Sequence, residues 1–214
     1  MLNQVNIPEG EILVHAGDAL SRGTDKEFRK FINHFKKLPH PYKIYVPGNH
    51  DIFTEKNEPY VKSECAANGI IYLNNSGINI LGLDFWGSGI TPRFHNWAWN
   101  RDSGICGTSY RPSNPEYNPI EPYWDIIPEN TDILVTHGPP HGILDVSIYS
   151  GEHCGCKRLL NKVNELKPKY HIFGHIHHWY GTQKIENTTF VNASICTEQY
   201  KPINKPIVLE INNE

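Results

Sequence analysis

Four times along this chain a short apolar, largely β-branched run gives way to a turn that carries Asp, Asn or His. The runs are Ile12-Leu13-Val14, Ile44-Tyr45-Val46, Ile133-Leu134-Val135 and His171-Ile172-Phe173. The turns that follow are His15-Ala16-Gly17-Asp18, Gly48-Asn49-His50-Asp51, Thr136-His137-Gly138-Pro139-Pro140 and Gly174-His175-Ile176-His177. Runs of this kind, bounded by turn residues, read as buried strands. Four strands that each end in such a turn can bring the side chains to one rim of a sheet. Asp, Asn and His together are the donor set of a hard-to-borderline metal ion. The pattern thus constrains the fold to one that gathers strand ends, and makes metal-dependent hydrolysis the leading reading.

Size and composition narrow the field. A chain of 214 residues is long enough to bury one substantial core, so 1–214 reads as a single domain. The formal net charge of −3 and the lack of a long basic run argue against nucleic acid as a partner. No apolar stretch approaches the roughly 20 residues that span a bilayer, and the start has no basic-then-apolar leader. Five cysteines, odd in number and irregularly spaced, do not read as a disulfide framework. A reducing cytoplasm is the expected compartment, with a small molecule rather than a membrane as the partner.

The remaining elements follow from spacing. Thr24-Asp25-Lys26-Glu27 reads as a capping box, and Phe28, Phe31, Ile32 and Phe35 then recur at helical spacing until Pro39 and Pro41 stop the helix. With strands at 12–14 and 43–46 this makes a β-α-β unit. A helix is expected over 58–67, strands over 70–73 and 78–83, and a helix striped by Cys156, Leu159, Leu160 and Val163. Residues 188–193 and 206–211 read as closing antiparallel strands. The stretch 88–122 has no sustained period. Its aromatics Phe94, Trp97, Trp99, Tyr110 and Tyr117 favour an ordered flap of the kind that serves as a lid. Mixed strands with helices outside give a layered α/β class.

The ordered blocks Gly17-Asp18, Gly48-Asn49-His50-Asp51, His137 and Gly174-His175-Ile176-His177 resemble the calcineurin-like metallophosphoesterases. Thr136-His137-Gly138-Pro139-Pro140, Gly155-Cys156 and Asn192-Ala193-Ser194 are similar to a compact subgroup that acts on small phosphoesters. The similarity covers nearly the whole chain. It implies two mixed β-sheets packed face to face with helices on the outer faces, a four-layer fold. It also implies a first strand ending in D-x-H. Residues 1–10 hold neither Asp nor His, so that strand is missing here, and an in-frame segment ending in D-x-H-G is expected ahead of Met1.

The resemblance assigns roles residue by residue. Asp18 bridges two metals; Asn49, His137 and His175 complete one site; His177 belongs to the other, which is depleted without D-x-H. The implied cofactors are up to two divalent transition ions, Mn, Fe or Zn, the second weakly held. Paired cations clamp a phosphate and lower the pKa of bound water toward about 7, which gives metal-activated water for attack on phosphorus. His50 is the candidate acid for the leaving group, an imidazole being suited by its near-neutral pKa. Asp51 is expected to orient the turn. Ser21 stands where the protein-phosphatase branch has a second Asp, which argues against a protein serine/threonine phosphatase. The function implied is hydrolysis of a small soluble phosphomonoester or phosphodiester. The alternative is a catalytically weak phosphate- or nucleotide-binding protein, and a fragment of an active parent is a third reading.

Several residues carry weaker signals. His15 lies three before Asp18, on the opposite face of its strand, and reads as buried and hydrogen-bonded. Arg93 and Arg101, flanking the flap, are candidates to grip phosphate oxygens bidentately, and His141 is a candidate pocket residue. Cys154-Gly155-Cys156 is not C-x-x-C, and Cys156 is expected in the core.

Overall fold

The computed structural model describes residues 4–103 and 118–211. Tyr110 and Tyr117 of the aromatic flap lie outside the described residues. In the first half, β1 (Ile12–Ala16) pairs in parallel with β2 (Tyr42–Val46), and α1 (Asp25–Phe35) is the crossover between them. The Glu27 N–H donates to Thr24 Oγ1 at 3.3 Å and the Thr24 N–H to Glu27 Oε2 at 3.1 Å, so the capping box starts the helix where expected. Phe28, Phe31, Ile32 and Phe35 are all buried. Beyond β2 the chain forms α2 (Ile52–Lys56) and α3 (Glu58–Ala67), then adds β3 (Ile71–Tyr72) in parallel to close a three-stranded sheet, β1-β2-β3.

The second sheet differs from the sequence expectation at its start. The run 78–83 is not one strand: β4 (Ser76–Ile80) and β5 (Leu83–Ser88) form an antiparallel hairpin with Ile80 opposite Leu83. Its two-residue loop is Leu81-Gly82, with φ of +54° and +82°. Two left-handed residues suit a type I′ turn, whose twist matches the strands it joins. A leucine at the first position hides that turn inside an apolar run. Next come β6 (Thr91–Pro92) and β7 (Asn100–Arg101), a parallel pair within the flap, then α4 (Glu121–Asp125) and β8 (Ile133–Thr136). The chain continues through α5 (Lys157–Leu166), β9 (Tyr170–Phe173), a short 3-10 turn (His177–Trp179), β10 (Gly181–Ile185) and β11 (Thr188–Asn192). The six strands are ordered β10-β11-β9-β8-β5-β4, with the outer two antiparallel to their neighbours.

Two further expectations are corrected. Cys156 lies in the core with Leu159 and Val163, as expected, but it caps α5 instead of belonging to the helix: its Sγ accepts the Leu159 N–H at 3.4 Å. Residues 206–211 form no ladder with described strands, and β11 takes β9 and β10 as partners instead. The alternation there is real, because Ile207, Leu209 and Ile211 pack against the inner core, but the backbone finds no strand to pair with.

Alternating side chains build the layers. In β2, Ile44 and Val46 face the large sheet, packing near Phe85, Ile133, Val135, Ile172 and Val191. Tyr45 points the other way, into Phe28, Phe31 and Phe35 of α1 and Val61 of α3. On the far side of the large sheet, Trp86, Leu134, Phe173 and Phe190 meet Trp124 of α4 and Leu159 and Val163 of α5. The order helix, sheet, sheet, helix is the four-layer architecture. Among the described residues β1 pairs only with β2, and its five residues are half-buried. Beside it a cavity of about 640 Å³, lined by Val14, Phe85, Ile133, Ile172 and Leu209 among others, reaches the turns that carry Asp18, His137 and His175.

Candidate metal centre

The site is assembled by strand ends held unusually close. Gly17 (φ +98°) and Asp18 (φ +58°) turn sharply after β1, and a Cβ on Gly17 would collide with His137 Nδ1. A Cβ on Gly48 would collide with the Asp18 backbone and carboxylate. These two glycines, one at a left-handed φ that L-residues avoid, let the turns after β1, β2 and β8 converge. Gly174, before His175, does not serve this purpose: an added Cβ there meets nothing nearer than Ser194 Oγ at 3.5 Å. Asp51 ties the turns together as expected. Its buried carboxylate accepts the N–H groups of Gly48 at 2.7 Å, Leu20 at 2.8 Å and Ala19 at 3.4 Å. Burial and the neighbouring Asp18 carboxylate push its pKa up to about 7.

Asp18, His137 and His175 present ligand atoms that all lie within 4.8 Å of one another. His137 Nδ1 lies 2.9 Å from the Ala16 carbonyl, which can only accept, so that nitrogen carries the proton. Nε2 then faces Asn49 Oδ1 at 2.8 Å and Asp18 Oδ1 at 3.3 Å. Three lone-pair donors thus meet in a buried space, which is unfavourable unless a cation sits among them. Burial works against charge on both Asp18 and His137. Their mutual attraction wins, holding the Asp18 carboxyl well below the usual carboxylate range and the His137 imidazole above its ordinary value. His175 takes a left-handed backbone (φ +69°), and burial lowers its pKa to about 3, so it is a neutral imidazole with a lone pair to offer. A carboxylate, an amide oxygen and two imidazoles, that of His137 neutral once a cation displaces its proton, fit a divalent transition ion.

His177 lines the same cavity, but it belongs to the 3-10 turn, not to a strand extension, and its Nδ1 donates to the Thr197 carbonyl at 3.0 Å. That bond leaves Nε2 unengaged. His50 donates its backbone N–H to Asp18 Oδ1 at 2.9 Å and fixes its Nδ1 on the Ser21 carbonyl at 2.9 Å. The other candidates lie in different surroundings. Arg93 pairs with Asp102 at 2.6 Å, while Arg101 stacks over Tyr123 at 4.8 Å and approaches Glu55 at 3.5 Å. His141 lies 5.0 Å from His153, whose Nδ1 is bound to buried Asp145 at 2.6 Å. His15 does point away from the cluster, among Phe31, Phe35 and Tyr45, but its Nδ1 has no hydrogen-bond partner among the described residues. An aromatic nest, not a polar one, explains its pKa of about 4. Sequence reasoning gave no role to Tyr200, which stands edge-on to both His50 and His177; an isolated Tyr in a C-terminal turn carries no signal.

Comparison with known proteins accords with this geometry. A family model described as calcineurin-like phosphoesterase matches residues 1–179. Metallophosphoesterase domain-containing protein 1 of Homo sapiens is 34% identical over 229 residues, covering 97% of this chain, and the chain spans 66% of that protein's length. The same figures hold for its Mus musculus counterpart. A UPF0046 protein of Caenorhabditis elegans is 32% identical over 98% of this chain and 71% of its own length. Among solved structures, phosphopantetheinyl hydrolase from Mycobacterium tuberculosis superposes with a TM-score of 0.68, over 98% of this chain and 90% of that one. At 14% identity that likeness concerns the fold. No helix among the described residues is long and apolar enough to cross a membrane.

Proposed function

The chain belongs to the calcineurin-like phosphoesterase family, whose members hydrolyse phosphoesters with divalent metals, and from that premise we propose that it cleaves a small soluble phosphomonoester or phosphodiester. The convergence of Asp18, Asn49, His137 and His175 on one space carries the reading. When bound there, a divalent ion (Mn, Fe or Zn) supplies positive charge to the phosphoryl oxygens and lowers the pKa of water toward about 7. Asn49 contributes an uncharged oxygen. With one carboxylate against a dication, the net charge of the site stays positive and draws an anionic ester. His50 holds Nδ1 on Ser21, so Nε2 is the atom that gives a proton to the departing oxygen. The cytoplasm is the compartment we favour, from the irregular cysteine spacing.

A second reading has its own support. The family resemblance assigns only Asp18 and His177 of this chain to a neighbouring metal position, where stable sites generally have three or more protein ligands, and both line the cavity. A protein that binds phosphate or a nucleotide with little turnover fits that depletion. The deciding experiment offers bis(p-nitrophenyl) phosphate and p-nitrophenyl phosphate with added manganese, in parallel with calorimetric binding of AMP. Metal-dependent turnover that vanishes in Asp18→Asn is expected. Saturable AMP binding with no turnover of either ester would establish the second reading.

A further inference from the structure

Two aromatic side chains stand against His50, the imidazole beside the metal cluster. The Trp97 ring lies 4.3 Å from that of His50, tilted by 38°, and the Tyr200 ring lies 6.4 Å from the same imidazole at 73°. Tyr200 is also perpendicular to His177 at 5.5 Å. His50, His177 and Tyr200 line the cavity that contains Asp18, His137 and His175.

Tyr200 is an unusual residue to find there. It is 55% exposed, and its φ of +57° places a bulky L-residue in the left-handed region. Such conformations persist only where the surroundings over-determine them, and they cluster at ligand sites. Here the surroundings are a turn built on Thr197. Its carbonyl accepts the Tyr200 N–H at 2.8 Å and His177 Nδ1–H at 3.0 Å, and its hydroxyl accepts the N–H groups of Gln199 and Lys201. The same left-handed backbone occurs at two of the metal-cluster residues, Asp18 and His175. The Tyr200 backbone and the His177 imidazole are thus held by one shared acceptor, with the Tyr200 ring set edge-on to that histidine.

We propose that Trp97 and Tyr200 determine specificity: they flank a planar leaving group, so that the site prefers aryl or other flat, unsaturated phosphoesters to alkyl ones. This rests on the reading of His50 as the group that protonates the departing oxygen. An oxygen within reach of His50 Nε2 carries its substituent past the rings that flank that imidazole. A planar substituent gains offset or edge contact with indole and phenol and freezes few torsions. An alkyl chain gains less contact and loses more rotamer freedom.

The test compares kcat/KM for phenyl and ethyl phosphodiesters with manganese, as a ratio within each protein, so that metal content and folded fraction cancel. Trp97→Leu and Tyr200→Leu are each expected to lower the aryl-to-alkyl ratio about three- to tenfold, the scale of an aromatic contact. Tyr200→Phe should retain it. A ratio unchanged in both leucine variants overturns the proposal. Calorimetric binding of phenylphosphonate against methylphosphonate needs no turnover. If no ester is hydrolysed but phenylphosphonate binds better, and the leucine variants lose that preference, the hydrolase reading fails and the clamp stands. Equal affinity for the two phosphonates overturns the clamp whatever the hydrolytic result.

Discussion

Asn49 Oδ1 lies 2.8 Å from Nε2 of His137, and neither atom has a proton to give the other once Nδ1 of that imidazole is committed to the Ala16 carbonyl. A proton or a metal ion can satisfy the pair. The raised pKa of His137 is the proton's claim on that space, and a divalent ion must displace it. The first prediction follows from this competition. Metal affinity should weaken as pH falls through the raised pKa of His137, approaching about tenfold per unit once that imidazole is protonated, the slope for release of one proton. Competition with a fluorescent chelator at pH 6, 7 and 8 measures it. An affinity independent of pH would mean that the metal binds elsewhere.

The second prediction concerns stoichiometry. Asp18, Asn49, His137 and His175 offer four donors to one ion, whereas the family resemblance assigns only Asp18 and His177 of this chain to the next position. Elemental analysis after mild dialysis should find about one tightly held transition metal per chain, falling to near zero in Asp18→Asn. Two ions surviving dialysis would contradict the assignment of His177 to a depleted site.

His50→Ala should separate leaving groups. Loss of a positioned proton donor typically costs about 10²–10⁴-fold, and that cost should appear with alkyl esters, whose alkoxide needs protonation. Nitrophenyl esters should lose far less. Equal losses with both classes would assign His50 to charge stabilisation at the phosphoryl group instead.

Gly17→Ala tests whether the turn geometry or the ligand list makes the site. The new Cβ would press on His137 Nδ1 at a φ of +98°. Strain of this type costs about 1–3 kcal/mol, so the variant should melt lower while still folding, and should lose tight metal binding although every ligand remains. Unchanged metal affinity would show that the three turns tolerate separation.

Acid should unfold the protein through histidines far from the metal as well as near it. His171 donates Nε2–H to Thr136 Oγ1 at 2.9 Å, and that hydroxyl in turn donates to the Gly138 carbonyl. Its Nδ1 faces Phe173 and Phe190 without a hydrogen-bond partner among the described residues, and burial lowers its pKa to about 3. A depressed histidine pKa gives stability that is complete above the unfolded value near 6.5 and is lost as pH falls toward the folded one. Denaturant melts between pH 7 and 4.5 should therefore show falling stability, with a shallower fall in His171→Phe. An identical slope in the variant would place the acid sensitivity elsewhere.

What the sequence disclosed and what it hid differ by physical cause. Thr24 and Glu27 bond to each other's backbone across three residues, so α1 was legible, as was the alternation that sends Ile44 and Tyr45 to opposite layers. Leu81-Gly82 was not, because a leucine at positive φ carries no local mark and merges two strands into one apolar run. Ile207, Leu209 and Ile211 alternate as a strand would, but pairing depends on a neighbour that periodicity does not report. At the site, the block order located Asp18, Asn49, His137 and His175. The roles of Gly17 and Gly48 emerge only from the collision of turns distant in sequence, and Tyr200 only from the ring geometry around His50.

The candidate ligands come from both sheets. Asp18 and Asn49 follow β1 and β2 of the small one, and His137 and His175 follow β8 and β9 of the large one. An ion among them is a cross-link, stapling two layers that pack through the Ile44, Val46, Phe85, Ile133 and Val135 side chains. Its binding free energy is then also folding free energy, about 2.7 kcal/mol at a free-metal concentration one hundred times Kd. The consequence is mechanical. Chelation should loosen the small sheet first, at its half-buried edge strand β1, and amide exchange there should quicken before it does in β8 and β9 at the centre of the large sheet.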